Sequence, residues 1–176
     1  MRGASHDRVL LIGMMGAGKT TIGRELSNLL GWRYLDNDEL VARVAGKDTR
    51  RVLAEDGIET LRRLESAALT IALTDGGPLI AGCAAGVVTD PLDLRRLHDG
   101  GYVVWLRADL TLLARRITGT DRPWLTGSPE SVVPALYAGR EALYTTACSL
   151  VIDVDRTTPE QAALDIVRGL TGVRAE

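Results

Sequence analysis

Val9-Leu-Leu-Ile-Gly-Met-Met-Gly-Ala-Gly-Lys-Thr20 decides the fold of this chain. Val9–Ile12 is a short apolar run ending in glycine, the pattern of a buried strand. Gly13–Thr20 matches G-x-x-x-x-G-K-[ST] at every fixed position. From Lys19 to Leu30, the residues Ile22, Leu26, Leu29 and Leu30 recur at helical spacing. Strand, glycine loop and helix in that order make a cradle for an anion. Glycines let the backbone curl until several N–H groups point inward, and the helix start adds the positive end of its dipole. The candidate ATP contacts are Gly13, Met14, Gly16, Ala17, Gly18, Lys19, Thr20 and Thr21. Lys19 can reach the β- and γ-phosphates, and the Thr20 hydroxyl can ligate Mg²⁺. A plain glycine turn before an ordinary helix is the blander alternative, and the full match in strand-to-helix context argues against it.

Outward from this stretch, strands and helices alternate. Further strands are expected at Arg33–Asp36, Leu79–Cys83, Tyr102–Leu106 and Leu150–Val154. Helices are expected at Asp38–Ala45, Thr49–Asp56, Ile58–Leu73, Asp93–His98, Leu110–Arg116, Ser131–Ala147 and Pro159–Leu170, the last opened by a Thr-Pro start. Thr118–Pro129 is rich in Gly, Thr, Asp, Pro and Ser and reads as a mobile loop. This alternation implies a five-stranded parallel sheet with helices on both faces. Ligands of such sheets sit at the carboxyl ends of the strands.

With 176 residues, the chain is one domain's worth of sequence. Its net charge of −2 argues against a nucleic-acid-coating or polybasic membrane-binding protein. No apolar run reaches the roughly 20 residues of a membrane span, and Met1–Arg8 has no apolar core of a secretory signal. A cytoplasmic monomer is expected, with residues 1–6 flexible. Cys83 and Cys148 are far apart and read as reduced, packed thiols, and no Cys/His cluster has zinc spacing. Lysine occurs only at positions 19 and 47, every other basic residue being arginine, so the lysine in the loop is informative.

Two further features carry chemistry. Leu35-Asp-Asn-Asp38 places two carboxylates at a strand end beside the glycine loop, where one can reach a metal's water shell and the other an acceptor hydroxyl. Helix capping would explain one of the two acids. Thr118–Gly127 has the composition of a lid, which a kinase needs to exclude water, and its Arg122 could carry a cation to the γ-phosphate.

Gly13–Thr20, Leu35-Asp-Asn-Asp38, Leu61-Arg-Arg-Leu-Glu65, Arg122-Pro123 and Arg140-x-x-Leu-Tyr144 together resemble the shikimate kinase family in order and interval, from about residue 8 to 170. The resemblance implies a three-layer α/β/α fold of the nucleoside-monophosphate-kinase type, with a lid at about 118–129. It implies Mg-ATP phosphorylating a ring hydroxyl of shikimate. By the same resemblance Lys19, Asp38 and Arg122 are catalytic, with Asp38 holding the acceptor hydroxyl. Thr20 and Asp36 would serve the metal. Arg62 and Arg140 would clamp the substrate carboxylate, and Arg116 and Pro159 would flank adenine with Arg156 nearby. Guanidinium forks suit a carboxylate, although Arg62 alone could equally be a helix-surface partner of Glu65 or Glu59.

The departures from the family lie on the acceptor side. Ala84-Ala85-Gly86 stands where the family has three glycines that contribute to the substrate site. Alanine at φ > 0 costs roughly 1–2 kcal/mol, so these alanines must have ordinary φ or the loop another shape. Leu61 and Leu53 replace aromatic rings, and Thr49-Arg50-Arg51 carries arginine where an acid is common. Two other readings stay open at this point: a kinase of another sugar acid such as gluconate, and a non-catalytic ATP-binding regulatory protein.

Overall fold

The computed structural model describes residues 7–117 and 127–172. Strand β1 (Arg8–Ile12) is followed by helix α1 (Lys19–Leu30), strand β2 (Arg33–Asp36), and helices α2 (Asn37–Ala45) and α3 (Thr49–Thr74). Strand β3 (Leu79–Gly82) then leads through a 3₁₀ turn at Val87–Thr89 to α4 (Pro91–Gly100), β4 (Tyr102–Arg107) and α5 (Leu110–Ile117). Helices α6 (Pro129–Ala138) and α7 (Glu141–Ala147), strand β5 (Leu150–Asp153) and helix α8 (Pro159–Thr171) complete the described chain.

The strands form one five-stranded sheet in the order β2-β3-β1-β4-β5. Every neighbouring pair is parallel, with Val9 opposite Ile80 on one side and Tyr102 on the other. The five-stranded parallel sheet expected from the alternation is therefore present. Val9, Leu10, Leu11 and Ile12 are all fully buried. Burial contributes about 1.5–3 kcal/mol for each such side chain, which is why the sheet centre reads as a continuous apolar run. Helices α1 and α8 pack on each other on one face, while α4 and α7 pack on β4. The connections leave the carboxyl ends of β1, β2 and β3 along one edge, so the loops after them face one another.

The expected helices at 49–56 and 58–73 are both present within the α3 run: the chain leaves helical geometry at Gly57 (φ 81°, ψ 173°), and two helical segments meet there at a kink. One expectation fails. Residues 131–147 are not a single helix: the chain breaks at Gly139-Arg140. The Arg140 amide donates to the Tyr137 carbonyl in a tight turn, and Arg140 leaves helical geometry at φ −122°. Glycine weakens a helix interior by about 1 kcal/mol, and the break allows Arg140 to sit buried against the core instead of continuing along one helix face. The expected loop also ends earlier than Pro129, which opens α6 at the position where proline's missing N–H costs nothing. The remainder of that loop, with the lid, and the N-terminal segment 1–6 lie outside the described residues. None of the described helices is long and apolar enough to cross a membrane.

Tyr34 of β2 locks α1 to the sheet. Its ring lies in a slot between Gly23 of α1 and Gly82 of β3, where a methyl group at either glycine would overlap it. Gly23→Ala would improve an ordinary exposed helix, but here it forces the ring aside. The expected result is a loss of about 1–3 kcal/mol, read as a lowered urea midpoint at unchanged slope.

Candidate active site

The loop after β1 is shaped by backbone before any side chain acts. Gly16 (φ 80°) and Gly18 (φ 92°) adopt left-handed geometry that other residues avoid. Gly18 is the N-cap of α1 and offers no side chain of its own to cap the first-turn amides. Those amides and the helix dipole face the loop, an arrangement suited to an anion. Gly13 lies against β4, and a Cβ there would stand 2.5 Å from the Leu106 carbonyl oxygen. Lys19 folds over the loop, its Nζ donating to the Gly13 and Met14 carbonyls at 2.8 and 3.0 Å. Arg116 reaches across from α5 and donates to the Gly16 carbonyl at 2.9 Å.

At the end of β2, Asp36 caps α2 by accepting from the Asp38 amide at 2.9 Å. Its other oxygen, Oδ2, accepts from the Thr20 hydroxyl at 2.8 Å and the Tyr34 hydroxyl at 3.0 Å. The hydroxyl of the loop and the first acid of Asp-Asn-Asp thus touch at the carboxyl edge of the sheet, although β3 separates β1 from β2. Burial and the neighbouring Asp36 charge push the Tyr34 pKa well up, so the phenol keeps its proton and remains a donor. Asp38 accepts from the Asn37 side chain at 3.1 Å. Capping alone therefore occupies Asp36, not Asp38.

The far side is built from α3, the loop after β3, and the α6–α7 break. Arg62 projects from α3 and pairs with Glu65 at 2.5 Å. Burial raises the Glu65 pKa, against the pull of Arg62 and, more weakly, Arg140. The helix-pair role considered for Arg62 is real, yet it does not remove Arg62 from the site: its guanidinium lies so close to Gly86 that a Cβ there would overlap it. Arg140 is 7% exposed, with a nitrogen 3.8 Å from the Met14 sulfur. Tyr144 is fully buried, donates to the Ala85 carbonyl at 2.6 Å, and stacks on Trp105. Burial pushes its pKa up to about 12. Burial likewise pushes the Cys83 thiol up to about 12, which keeps it neutral and poorly nucleophilic.

These elements enclose a cavity of about 720 Å³. Gly16, Ala17, Gly18, Lys19, Thr20 and Thr21 line it from the loop, with Asp36 and Asp38 beside them. Arg62, Ala84, Ala85, Gly86 and Arg140 line it too, as do Arg116 and Pro159. Gly13 and Met14 are not on its wall; they act from beneath, through their carbonyls. Arg156 is not on the wall either. Its amide closes the turn after β5 onto the Asp153 carbonyl, and Thr157, Thr158 and Pro159 come forward instead. Arg122 lies outside the described residues. The Ala84-Ala85 question resolves simply: no described non-glycine residue has positive φ, and Gly86 itself sits at φ −92°. Glycine at 86 is needed for space rather than for backbone freedom. Sequence reasoning missed Tyr34, Asn37, Ile58, Thr157 and Thr158 as wall residues; only Tyr34, two residues before an acid at a strand end, carried a readable signal.

A parallel sheet with a glycine loop of the phosphate-binding pattern, paired acids at the end of edge strand β2 and a joined second pocket defines a P-loop phosphotransferase. Comparison with known proteins then gives the family. The family described as shikimate kinase matches residues 15–171. The shikimate kinase of Ruegeria pomeroyi is 35% identical over 169 residues, covering 95% of this chain and 86% of that protein. That of Thermobifida fusca is 34% identical, covering 95% and 96%. A structure of shikimate kinase from Acinetobacter baumannii in complex with shikimate superposes with a TM-score of 0.88 at 27% identity, covering 96% and 95% of the two chains. The chain belongs to the shikimate kinase family, as the five motifs implied.

Gly86→Ala tests the close approach to Arg62. Because the clashing group is the end of a flexible side chain, stability should change by less than about 0.5 kcal/mol. Arg62 would be displaced, and KM for the acid acceptor should rise severalfold while KM for ATP stays put, as read by coupled ADP-release kinetics.

Proposed function

We propose that this chain transfers the γ-phosphoryl group of ATP to a ring hydroxyl of shikimate. The observation carrying this reading is that one cavity joins the anion-binding loop to Arg62 and Arg140. A phosphate donor and a small hydroxy-acid can then meet without crossing solvent.

Lys19 and the loop amides hold the β- and γ-phosphates. Adenine lies between Arg116 and Pro159, which both reach the cavity. The Thr20–Asp36 pair suits magnesium, being an oxygen-only set with its two side chains already 2.8 Å apart. Mg²⁺ is usually held by one or two carboxylates together with substrate phosphates. When bound, the ion neutralises charge on the β- and γ-oxygens. Asp38 orients the acceptor hydroxyl and accepts its proton as the new O–P bond forms and the bond from the γ-phosphorus to the β–γ bridging oxygen breaks, ADP leaving with that oxygen. Arg62 and Arg140 take the carboxylate, Arg62 being paired with Glu65 on the same wall and Arg140 being held by burial. Preorganised guanidinium groups lose less entropy on binding. Arg122, from the lid sequence, supplies a further cation to the transferring group. Ala84 and Ala85 add methyl groups to the acceptor wall and make it narrower than a triple-glycine loop would.

The direct test follows ADP release with Mg-ATP over shikimate, quinate, gluconate and no acceptor. Turnover with shikimate well above the others is expected. Turnover with gluconate alone, or with none, would overturn the reading. Arg140→Ala removes a charge-assisted contact of roughly 1.5–3 kcal/mol, so KM for shikimate should rise about 10- to 100-fold with ATP affinity within about twofold. An unchanged KM would take Arg140 out of the clamp.

A further inference from the structure

We propose that Tyr34 is a positioning residue for phosphoryl transfer, its hydroxyl fixing the Asp36 carboxylate toward the metal side of the site. The proposal rests on the reading of Asp36 given above. Asp36 Oδ2 accepts from two hydroxyls, Thr20 at 2.8 Å and Tyr34 at 3.0 Å, while Oδ1 accepts from the Asp38 amide at 2.9 Å. The Thr20 oxygen must also serve the cation, so its direction changes with occupancy. The Tyr34 hydroxyl, which also neighbours Thr20, donates to Asp36 and is not itself a metal ligand, so it can keep the carboxylate in place when Thr20 turns to the cation.

The ring is placed for this purpose by its surroundings. Gly23 and Gly82 clear the slot from opposite sides, one for the ring edge and one for the hydroxyl. The side chain is partly buried and lies on the cavity wall. Its one polar atom lands on the carboxylate oxygen that already contacts Thr20. A carboxylate fixed by several donors presents its remaining lone pairs in a set direction, and orienting partners behind a ligand commonly change metal affinity by 10- to 100-fold. Packing alone would require the ring; it would not require the oxygen.

Tyr34→Phe keeps the ring and removes only that oxygen. The measurement is ADP affinity of the full chain by calorimetry, with and without MgCl₂, the ratio being the enhancement due to the metal. Tyr34→Phe should leave metal-free ADP affinity within about twofold and reduce the enhancement at least threefold. The apparent KM for Mg²⁺ in turnover should rise while KM for shikimate is unchanged. Asp36→Asn, which preserves helix capping, should reduce the enhancement further, and Tyr34→Phe added to it should do nothing more. Full enhancement in Tyr34→Phe would overturn the proposal and leave the Asp36 reading intact. Equal losses with and without Mg²⁺ would also overturn it, since that is the mark of disturbed packing. Full enhancement in Asp36→Asn would remove the Asp36 reading, and this proposal with it.

Discussion

The turn between β1 and α1 sets the terms for everything around it. A chain leaving a central, fully buried strand must reverse within a few residues and start a helix whose first amides face a shared point. That is possible only with left-handed backbone at Gly16 and Gly18. It also requires the loop to lie directly on β4, which Gly13 permits by lacking a side chain. Once that geometry is fixed, Lys19 and Thr20 have no choice of direction. Parallel pairing of β3 and β4 on either side of β1 then brings the loops after β2 and β3 to the same edge. The glycine loop and the opposite cavity wall are thus brought together by one sheet topology.

The side of the cavity away from the glycine loop is held by charge compensation as well as by backbone. Arg62 and Glu65 pair on its wall, and burial of Glu65 would be costly without that cation. Arg140 reaches the same cavity because α6 and α7 part at Gly139-Arg140. Tyr144 ties the opposite wall down through the Ala85 carbonyl. The loop after β3 therefore keeps a defined shape with two alanines in it. Their methyl groups reshape the space offered to the acceptor, while the phosphate side is left as the motif demands.

Local patterns alone carried most of the architecture. Apolar runs of four or five residues between helical periodicities identified the strands, and the G-x-x-x-x-G-K-[ST] spacing identified the anion site. Asp-Asn-Asp at a strand end announced paired carboxylates. These features are legible because each depends on neighbours in the chain: turn geometry, capping, burial period. The break at Gly139-Arg140 was not legible, since a glycine in an otherwise helical pattern is only mildly unfavourable. The burial of the Arg140 side chain, which no window of sequence contains, is what accompanies the break.

What the sequence determined by itself was the order of elements, the phosphate loop and the identity of the charged groups, because backbone sterics and hydrophobic period act over a few residues. Tertiary structure alone decided which of those groups meet. It brought Arg62 and Arg140 to one cavity wall, set Arg156 off that wall, and placed Tyr34 against Asp36 through two glycines that lie far apart in the chain. Such contacts depend on a fraction of an ångström between elements that touch only after the sheet has assembled.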